Sequence, residues 1–275
     1  DLADNPFFPE DGIGISALCD FMHYGDEEIS STYSDLGDYD QDNFPVLSEE
    51  KQRECVHGYW ASVSFVDAQI GKVLDKLAAL GLQDDTVIVL WGDNGWHLGE
   101  HKLWSKVTSF EESTRVPIVI SAPGVTNGER SSALVELVDV YPSICELVGL
   151  DRPSHLQGIS LMPLVMDSQL SWKKGVLSRI GDAETVRTDH YRFTRYSKAT
   201  AAGDWRHLPN SDTCELFDFQ SDPHENVNVA KRPEYSGIVQ EMDRLLTTGW
   251  QALLPDSSRT SDARIANSLQ ATVCQ

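Results

Sequence analysis

Hydrophobic side chains between residues 59 and 80 recur at alternating steps of four and three, which is the spacing of one face of an α-helix. Gly81 follows the last of them and is typical of a helix C-terminus. Residues 86–91 then form a continuous apolar, β-branched run, which is typical of a strand buried on both faces in a parallel sheet. Residues 116–121 repeat this pattern, and residues 137–148 predict a further apolar helix. Alternation of helices with buried strands indicates an α/β fold.

The pattern changes beyond about residue 164, where the apolar stretches become short and alternate with polar positions. The predicted elements are strands at 175–180, 191–196 and 215–219 and an amphipathic helix at 234–250. Strands followed by a helix indicate a small α+β subdomain with an antiparallel sheet. We therefore divide the chain into an α/β core part, residues 1–165, and a small C-terminal subdomain, residues 166–275.

Both ends of the chain lack the periodicity of regular structure. Residues 1–48 are rich in Asp, Gly, Pro and Ser and predict an irregular acidic segment. A domain rarely begins with so long an irregular stretch, and we therefore expect further sequence upstream. The polar tail, residues 255–275, is expected to be loose.

Composition excludes several classes of protein. The formal net charge is −21, with 43 acidic against 22 basic residues, which argues against binding of nucleic acid. The acidic N-terminal segment is best interpreted as a solvated surface, and a calcium site there would lack the EF-hand spacing. No run of eighteen apolar residues predicts a membrane span. The five cysteines form no CxxC pair, so a structural zinc site is not expected.

The segment with candidate chemistry is residues 91–106, directly after the first predicted strand. Ligands of open α/β sheets bind at the carboxyl ends of the strands. Asp93 and Asn94 offer two hard oxygen ligands between glycines, which suits calcium or magnesium. The residues that follow bring positive charge suited to a sulfate or phosphate ester: His97, His101, Lys102 and Lys106. The alternative is a tight turn in which Asp93 and Asn94 bond only their own backbone.

The stretch from Tyr59 to Gly124 resembles the type I sulfatases of the alkaline-phosphatase superfamily and is most similar to iduronate-2-sulfatases. The resemblance is carried by YWASVSFVD at 59–67, GDNGWHLGEH at 92–101, Lys106 and TRVP at 114–117. Weaker similarity lies at 186–193 and 215–226, so the resemblance extends over most of residues 55–230. It implies an alkaline-phosphatase-like fold, with part of a large, mostly parallel sheet flanked by helices.

The resemblance also implies roles for individual residues. Asp93 and Asn94 would be calcium ligands, although iduronate-2-sulfatases have His where Asn94 stands and many arylsulfatases have Asn. Lys106 would be a catalytic and substrate-binding residue that reaches the sulfate oxygens. Trp96 and His97 would face the sugar or another leaving group. Magnesium is less favoured than calcium at such a site.

The nucleophile of the family does not occur in this sequence. Sulfatases use a formylglycine made from Cys or Ser in a C/S-x-P/A-x-R motif, and no cysteine or serine here has that context. We expect the formylglycine in an N-terminal portion, so the chain carries half of a site and is not expected to be active alone. It is best interpreted as a fragment of a complete sulfatase. The alternatives are a truncated protein that only binds anions or metal, and a chain that pairs with another polypeptide supplying the N-terminal half.

Other functional expectations also follow from the resemblance. The substrate would be a sulfated carbohydrate, such as a glycosaminoglycan, or another sulfate ester, and the location lysosomal, secreted or periplasmic. A phosphodiesterase or phosphonate hydrolase of the same superfamily is the main enzyme alternative, but such enzymes usually carry His at the position of Asn94. Arg187 and His190 could reach a uronate-type carboxylate from the C-terminal subdomain. Asp139 would begin a helix and have a purely structural role.

Overall fold

The computed structural model describes residues 48–106, 108–125, 128–180, 183–196 and 214–255. The irregular acidic segment predicted at 1–48, apart from its last residue, and nearly all of the predicted loose tail lie outside the described residues. Within the described ranges, no helix is long and apolar enough to cross a bilayer.

The longest element is helix α1, Glu49–Ala79. It begins well before the predicted position because Ser48 caps it, its side chain accepting a hydrogen bond from Lys51 N at 3.3 Å. Gly81 follows its end with a φ of 67°, which confirms the predicted stop signal. Only two residues of α1, Cys55 and Val56, are buried, and much of its apolar face is exposed.

Strands β1, Ile88–Trp91, and β4, Ile118–Ser121, form a two-stranded antiparallel pair. The prediction of a parallel partner is therefore wrong for these two strands, and both are exposed in part. An apolar run does not determine strand direction, whereas a parallel pair needs a long crossover, usually a helix. Among the described residues between these strands, the α-helix is a single turn, α2, Glu111–Thr114, which is too short for such a crossover.

Between β1 and α2 lies a small hairpin that positions the candidate site. Strand β2, His97–Leu98, pairs with β3, Trp104–Ser105, with His97 opposite Ser105. A 3-10 turn, Glu100–Lys102, joins the two strands.

A second layer contains helices α3, Val140–Leu147, and α4, Met162–Met166. Buried Asp139 precedes α3 and accepts hydrogen bonds from Glu136 N and Ile159 N, each at 2.9 Å. Its carboxylate also pairs with the buried Lys173 at 2.7 Å. The predicted structural role of Asp139 is confirmed, because all of these contacts join it to other parts of the fold around the start of α3.

The C-terminal part forms a four-stranded antiparallel sheet in the order β5-β6-β7-β8. The strands are Val176–Ile180, Ala183–Arg187, Tyr191–Tyr196 and Cys214–Asp218, and helix α5, Ser236–Thr248, packs on them. The core between sheet and helix consists of Val186, Phe193, Leu216, Val229, Met242 and Leu253, all at most 5% exposed. The predicted antiparallel sheet is confirmed, and β6 is a strand that the hydrophobic pattern did not predict.

Candidate active site

The turn after β1 exposes the two predicted oxygen ligands. Gly92 N donates to Pro117 O at 3.1 Å, which closes the turn against the start of β4. Asp93 and Asn94 are both exposed, and Asn94 N donates to Asp93 Oδ1 at 3.0 Å. This local bond is the one expected of a simple turn, but it uses only one of the carboxylate oxygens. The second carboxylate oxygen and the Asn94 amide oxygen therefore remain suitable for a hard cation.

Gly95 brings the turn into direct contact with α2. Its N–H donates to Ser113 O at 2.9 Å. A Cβ at this position would lie 1.9 Å from Glu112 O, so no side chain fits unless the backbone moves. The position of the Asp93–Asn94 pair therefore depends on where α2 lies.

Trp96 and Lys106 come together although nine residues separate them in the chain. The Lys106 Nζ lies 5.5 Å from the centroid of the Trp96 ring, a cation–π distance. Trp96 also stacks on Tyr59 of α1, with ring centroids 6.3 Å apart. The structure thus places a cation over an aromatic ring that follows the exposed acid–amide turn by two residues, a combination that suits an anionic sugar ester.

His97 is fully buried, which contradicts the prediction that it faces the leaving group. Its pairing opposite Ser105 turns the ring inward, where Nε2 lies 2.8 Å from Thr108 Oγ1. Burial lowers the pKa of His97 to about 3, and the nearby His101 and Arg192 lower it further. His97 is therefore a neutral interior residue, and His101 is equally buried, so neither ring meets solvent.

Below the hairpin lies a buried charge cluster that the hydrophobic pattern did not reveal. Arg192 Nε and Glu225 Oε1 are 2.6 Å apart, and the two side chains are 2% and 1% exposed. Their contact is a close charge pair without aligned hydrogen-bond geometry. Burial raises the pKa of Glu225, whereas the Arg192 guanidinium at 2.6 Å and the Glu111 N–H lower it and favour the ionised form that pairs with Arg192. The sequence signal was a charged residue inside a strand, Arg192 beside Phe193.

Two groups of residues are candidates for a metal. Ligand atoms of His101, Glu112 and Glu225 lie within 4.8 Å of one another, but Glu225 already pairs with the cationic Arg192. Arg192 therefore supplies the positive charge in that cluster. Asp93 and Asn94 are exposed oxygen donors, and their chemistry fits calcium. They provide two of the usual six to eight ligands, so further donors must come from elsewhere.

Arg187 is engaged in structural contacts. Its Nε donates to Glu111 Oε1 at 2.6 Å, and its guanidinium lies 3.9 Å from the centroid of the Phe219 ring. A further nitrogen donates to Thr188 O. The Arg187 guanidinium therefore already has partners within the protein, which argues against the expectation that it reaches a substrate carboxylate. His190 is exposed.

Two family profiles match this sequence. The sulfatase profile matches residues 19–150, and the profile for the C-terminal part of N-sulphoglucosamine sulphohydrolase matches residues 99–251, more than half of the chain. The chain belongs to the sulfatase family of the alkaline-phosphatase superfamily.

Relatives and solved structures agree with this assignment. A choline-sulfatase of Rhizobium meliloti is 32% identical over 70% of this chain and 36% of its own length. Arylsulfatase K of Xenopus laevis is 31% identical over 73% of this chain and 38% of its own length. A structure in complex with its substrate D-glucosamine-2-N,6-O-disulfate superposes with a TM-score of 0.66 at 25% identity, covering 87% of this chain and 48% of that one.

The fold is thereby confirmed as alkaline-phosphatase-like, with a small antiparallel C-terminal subdomain. A phosphonate monoester hydrolase of Agrobacterium radiobacter shares this fold, with a TM-score of 0.66 at 20% identity over 92% of this chain and 52% of that one. The chain spans between a third and about half of the length of the relatives and structures named here.

Proposed function

We propose that this chain is part of a sulfuric ester hydrolase and contributes half of a calcium and sulfate-ester site. The observation that carries the proposal is the position of the Lys106 ammonium over the ring of Trp96, which follows the exposed Asp93–Asn94 turn by two residues. A cation and an aromatic ring side by side suit the two halves of a sulfated sugar, its anionic group and its ring. The sulfatase relatives support this assignment.

Lys106 acts on the sulfate oxygens. As the S–O bond to the leaving group breaks, its electron pair goes to the leaving oxygen, and the negative charge of the transition state is shared between that oxygen and the sulfate oxygens. The ammonium donates hydrogen bonds that strengthen with this charge. Lysine suits this role because it is a compact charge with three donors. Trp96 supports the ammonium from one side and offers its ring to the leaving group.

Calcium would be held in part by Asp93 and Asn94, and when bound it would stabilise the negative charge of the ester. The carboxylate and amide oxygens of this turn are hard donors that suit calcium. Magnesium is less favoured because it demands a stricter octahedral arrangement of its ligands. Asn94 also favours a site with one calcium over the two-metal sites of phosphoesterases, which usually have His at this position.

The proposed substrate is a sulfated carbohydrate, such as a glycosaminoglycan, in a lysosomal, secreted or periplasmic setting. Two similar proteins support the substrate class: an N-acetylglucosamine-6-O-sulfatase of Bacteroides thetaiotaomicron, 31% identical over 73% of this chain and 36% of its own length, and the structure solved with a glucosamine disulfate. The sequence resemblance to iduronate-2-sulfatases makes a sulfated uronate the finer proposal.

The partner of this chain would be the N-terminal half of the enzyme, which would supply the formylglycine and the other calcium ligands. The exposed apolar face of α1 supports such a partner, since Phe65 is 66% and Val73 68% exposed. This exposed face argues against the alternative of a truncated protein that only binds anions or metal. A protein that folds and functions by itself rarely exposes a large apolar surface.

Sulfate-ester hydrolysis tests the proposal in two preparations. The naturally produced protein that contains this chain should hydrolyse an aryl sulfate, and the 275-residue chain alone should not, because it lacks the covalent nucleophile. Asp93→Ala should also lower the calcium affinity of the active protein, measured by calorimetry, together with its activity. Turnover by the chain alone that is unaffected by Asp93→Ala would show that the mechanism is wrong. Hydrolysis of phosphonate monoesters in place of sulfate esters would favour the phosphonate hydrolase alternative.

A further inference from the structure

Side chains of the C-terminal subdomain contact residues 108–114, which we call the bracing segment: Arg187, Arg192, Thr194 and Glu225. Of these, Arg192 and Glu225 are the buried charged side chains. Glu225 Oε2 accepts a hydrogen bond from Glu111 N at 2.9 Å, across 114 residues of sequence. Arg192 donates to Ser109 O, across 83 residues. The donors and acceptors of these two hydrogen bonds are buried or half-buried, so water does not readily replace a hydrogen bond that is lost there.

The two side chains that make these contacts also hold each other. The Arg192–Glu225 charge pair at 2.6 Å lies with the guanidinium 4.6 Å from the Phe110 ring centroid and 5.0 Å from that of Phe217. Breaking a buried charge pair leaves an uncompensated charge in the interior, so the pair resists displacement. The bracing segment is therefore anchored to a rigid point of the subdomain.

The other side of the bracing segment contacts the candidate site. Ser113 O accepts the hydrogen bond from Gly95 N at 2.9 Å, and Gly95 directly follows Asn94. Thr108 Oγ1 lies 2.8 Å from His97 Nε2, and His97 directly follows Trp96. Displacement of the bracing segment would therefore move the Asp93–Asn94 turn and the ring of Trp96.

Backbone strain is concentrated in the same region. Among the described residues, positive φ angles outside glycine occur at His101 (54°), Ser105 (75°) and Glu225 (55°). Such conformations persist only where surrounding contacts hold them. Ser105 directly precedes Lys106, so the direction of the lysine depends on a backbone that the neighbouring structure must maintain.

We propose that Arg192 and Glu225 are positioning residues, which hold the bracing segment so that the Asp93–Asn94 turn and Lys106 keep the geometry of the site. The inference rests on the proposed function for the roles of Asp93, Asn94 and Lys106. The positioning itself concerns backbone order and does not require turnover.

Amide hydrogen exchange of the 275-residue chain, followed by NMR, tests the inference. In Glu225→Ala and Arg192→Met, the Gly95 and Glu111 amides should exchange at least about tenfold faster relative to the amides of helix α5, because local opening no longer has to break the contacts of the Arg192–Glu225 pair. Glu225→Gln keeps an oxygen that can accept from Glu111 N but loses the charge that Arg192 needs. Its exchange should lie between those of the wild type and Glu225→Ala.

Lys173→Met is the matched control, since it removes another buried charge pair, with Asp139, away from the bracing segment. It should lower global stability and leave the ratio of Gly95 exchange to α5 exchange unchanged. An unchanged Gly95 ratio in the Arg192 and Glu225 variants, or an equal rise in Lys173→Met, would overturn the inference. If Glu225→Ala does not fold, Glu225→Gln decides by the same ratio. These outcomes are independent of whether the active protein is a sulfatase.

Discussion

The C-terminal sheet and the N-terminal helix–strand region differ in what happens to their apolar side chains. In the sheet, Phe193 and Leu216 are 1% and 0% exposed and pack against α5. On α1, Phe65 is 66% exposed, and Val119 on β4 is 54% exposed. Both regions show the hydrophobic periodicity of a buried face. The C-terminal sheet is covered by α5, whereas Phe65 and Val119 lie on faces that the described residues leave exposed.

The difference indicates that the two regions have different roles. The C-terminal subdomain closes a core of its own and can serve as a fixed support. The α1 and β1–β4 region leaves large apolar side chains exposed, as interaction surfaces do. The candidate site lies between the two, anchored to the subdomain through Arg192 and Glu225 and in contact with α1 through Tyr59 and Trp96.

The largest expected effect comes from a matched pair of phenylalanines. Phe193→Ala should lower the free energy of unfolding by about 3–5 kcal/mol, because it opens a cavity in the core of the sheet. Phe65→Ala should change it by no more than about 0.5 kcal/mol in this chain, because the ring is exposed. Urea unfolding followed by circular dichroism measures both. Equal losses for the two variants would mean that the α1 face is already packed in solution.

Acid stability should distinguish a buried histidine from an exposed one. The pKa of His97 is lowered to about 3 in the folded state, so its contribution is present above the unfolded value of 6.5 and is lost as pH falls towards 3. The loss is about 1.4 kcal/mol for each pH unit below 6.5, or about 2 kcal/mol at pH 5.

The His97 contribution is measured by urea unfolding at pH 7 and pH 5. His97→Gln should reduce the difference between the two pH values. His57→Gln, which changes an exposed histidine of α1, should leave that difference as in the wild type. A wild-type pH profile in His97→Gln would show that His97 is not the buried neutral group described above.

The smallest effect on stability should come from the α1 surface itself. Phe65→Ser together with Val73→Ser should leave the free energy of unfolding within about 0.5 kcal/mol of wild type. The same change should clearly lower the fluorescence of the dye ANS bound to the chain, because it removes exposed apolar area. Sedimentation should also show less self-association. Dye binding that stays at the wild-type level would place the apolar surface elsewhere.

Much of the fold was predictable because regular elements leave local periodic signals. The C-terminal strands at 191–196 and 215–219 and the stop of α1 at Gly81 followed from spacing and residue type alone. The antiparallel direction of β1 and β4 did not, since an apolar run is compatible with either direction.

The candidate site divides in the same way. The Asp93–Asn94 turn and Lys106 were found as a local motif after a strand. The inward position of His97 depends on its pairing with Ser105, and the Arg192–Glu225 pair depends on tertiary contacts over long sequence distances. Neither arrangement has a local signal that a pattern of hydrophobic positions could reveal.

The measurement that tests the central claim most directly is the kcat of the naturally produced protein towards a sulfate ester, with and without Lys106. Lys106→Ala should lower kcat by about a hundredfold or more, with a smaller change in KM, because the lost hydrogen bond strengthens in the transition state by roughly 2–4 kcal/mol. Lys72→Ala, which removes an exposed lysine of α1, should leave both constants unchanged. A kcat/KM for Lys106→Ala within about threefold of wild type would contradict the role of Lys106 at the sulfate ester.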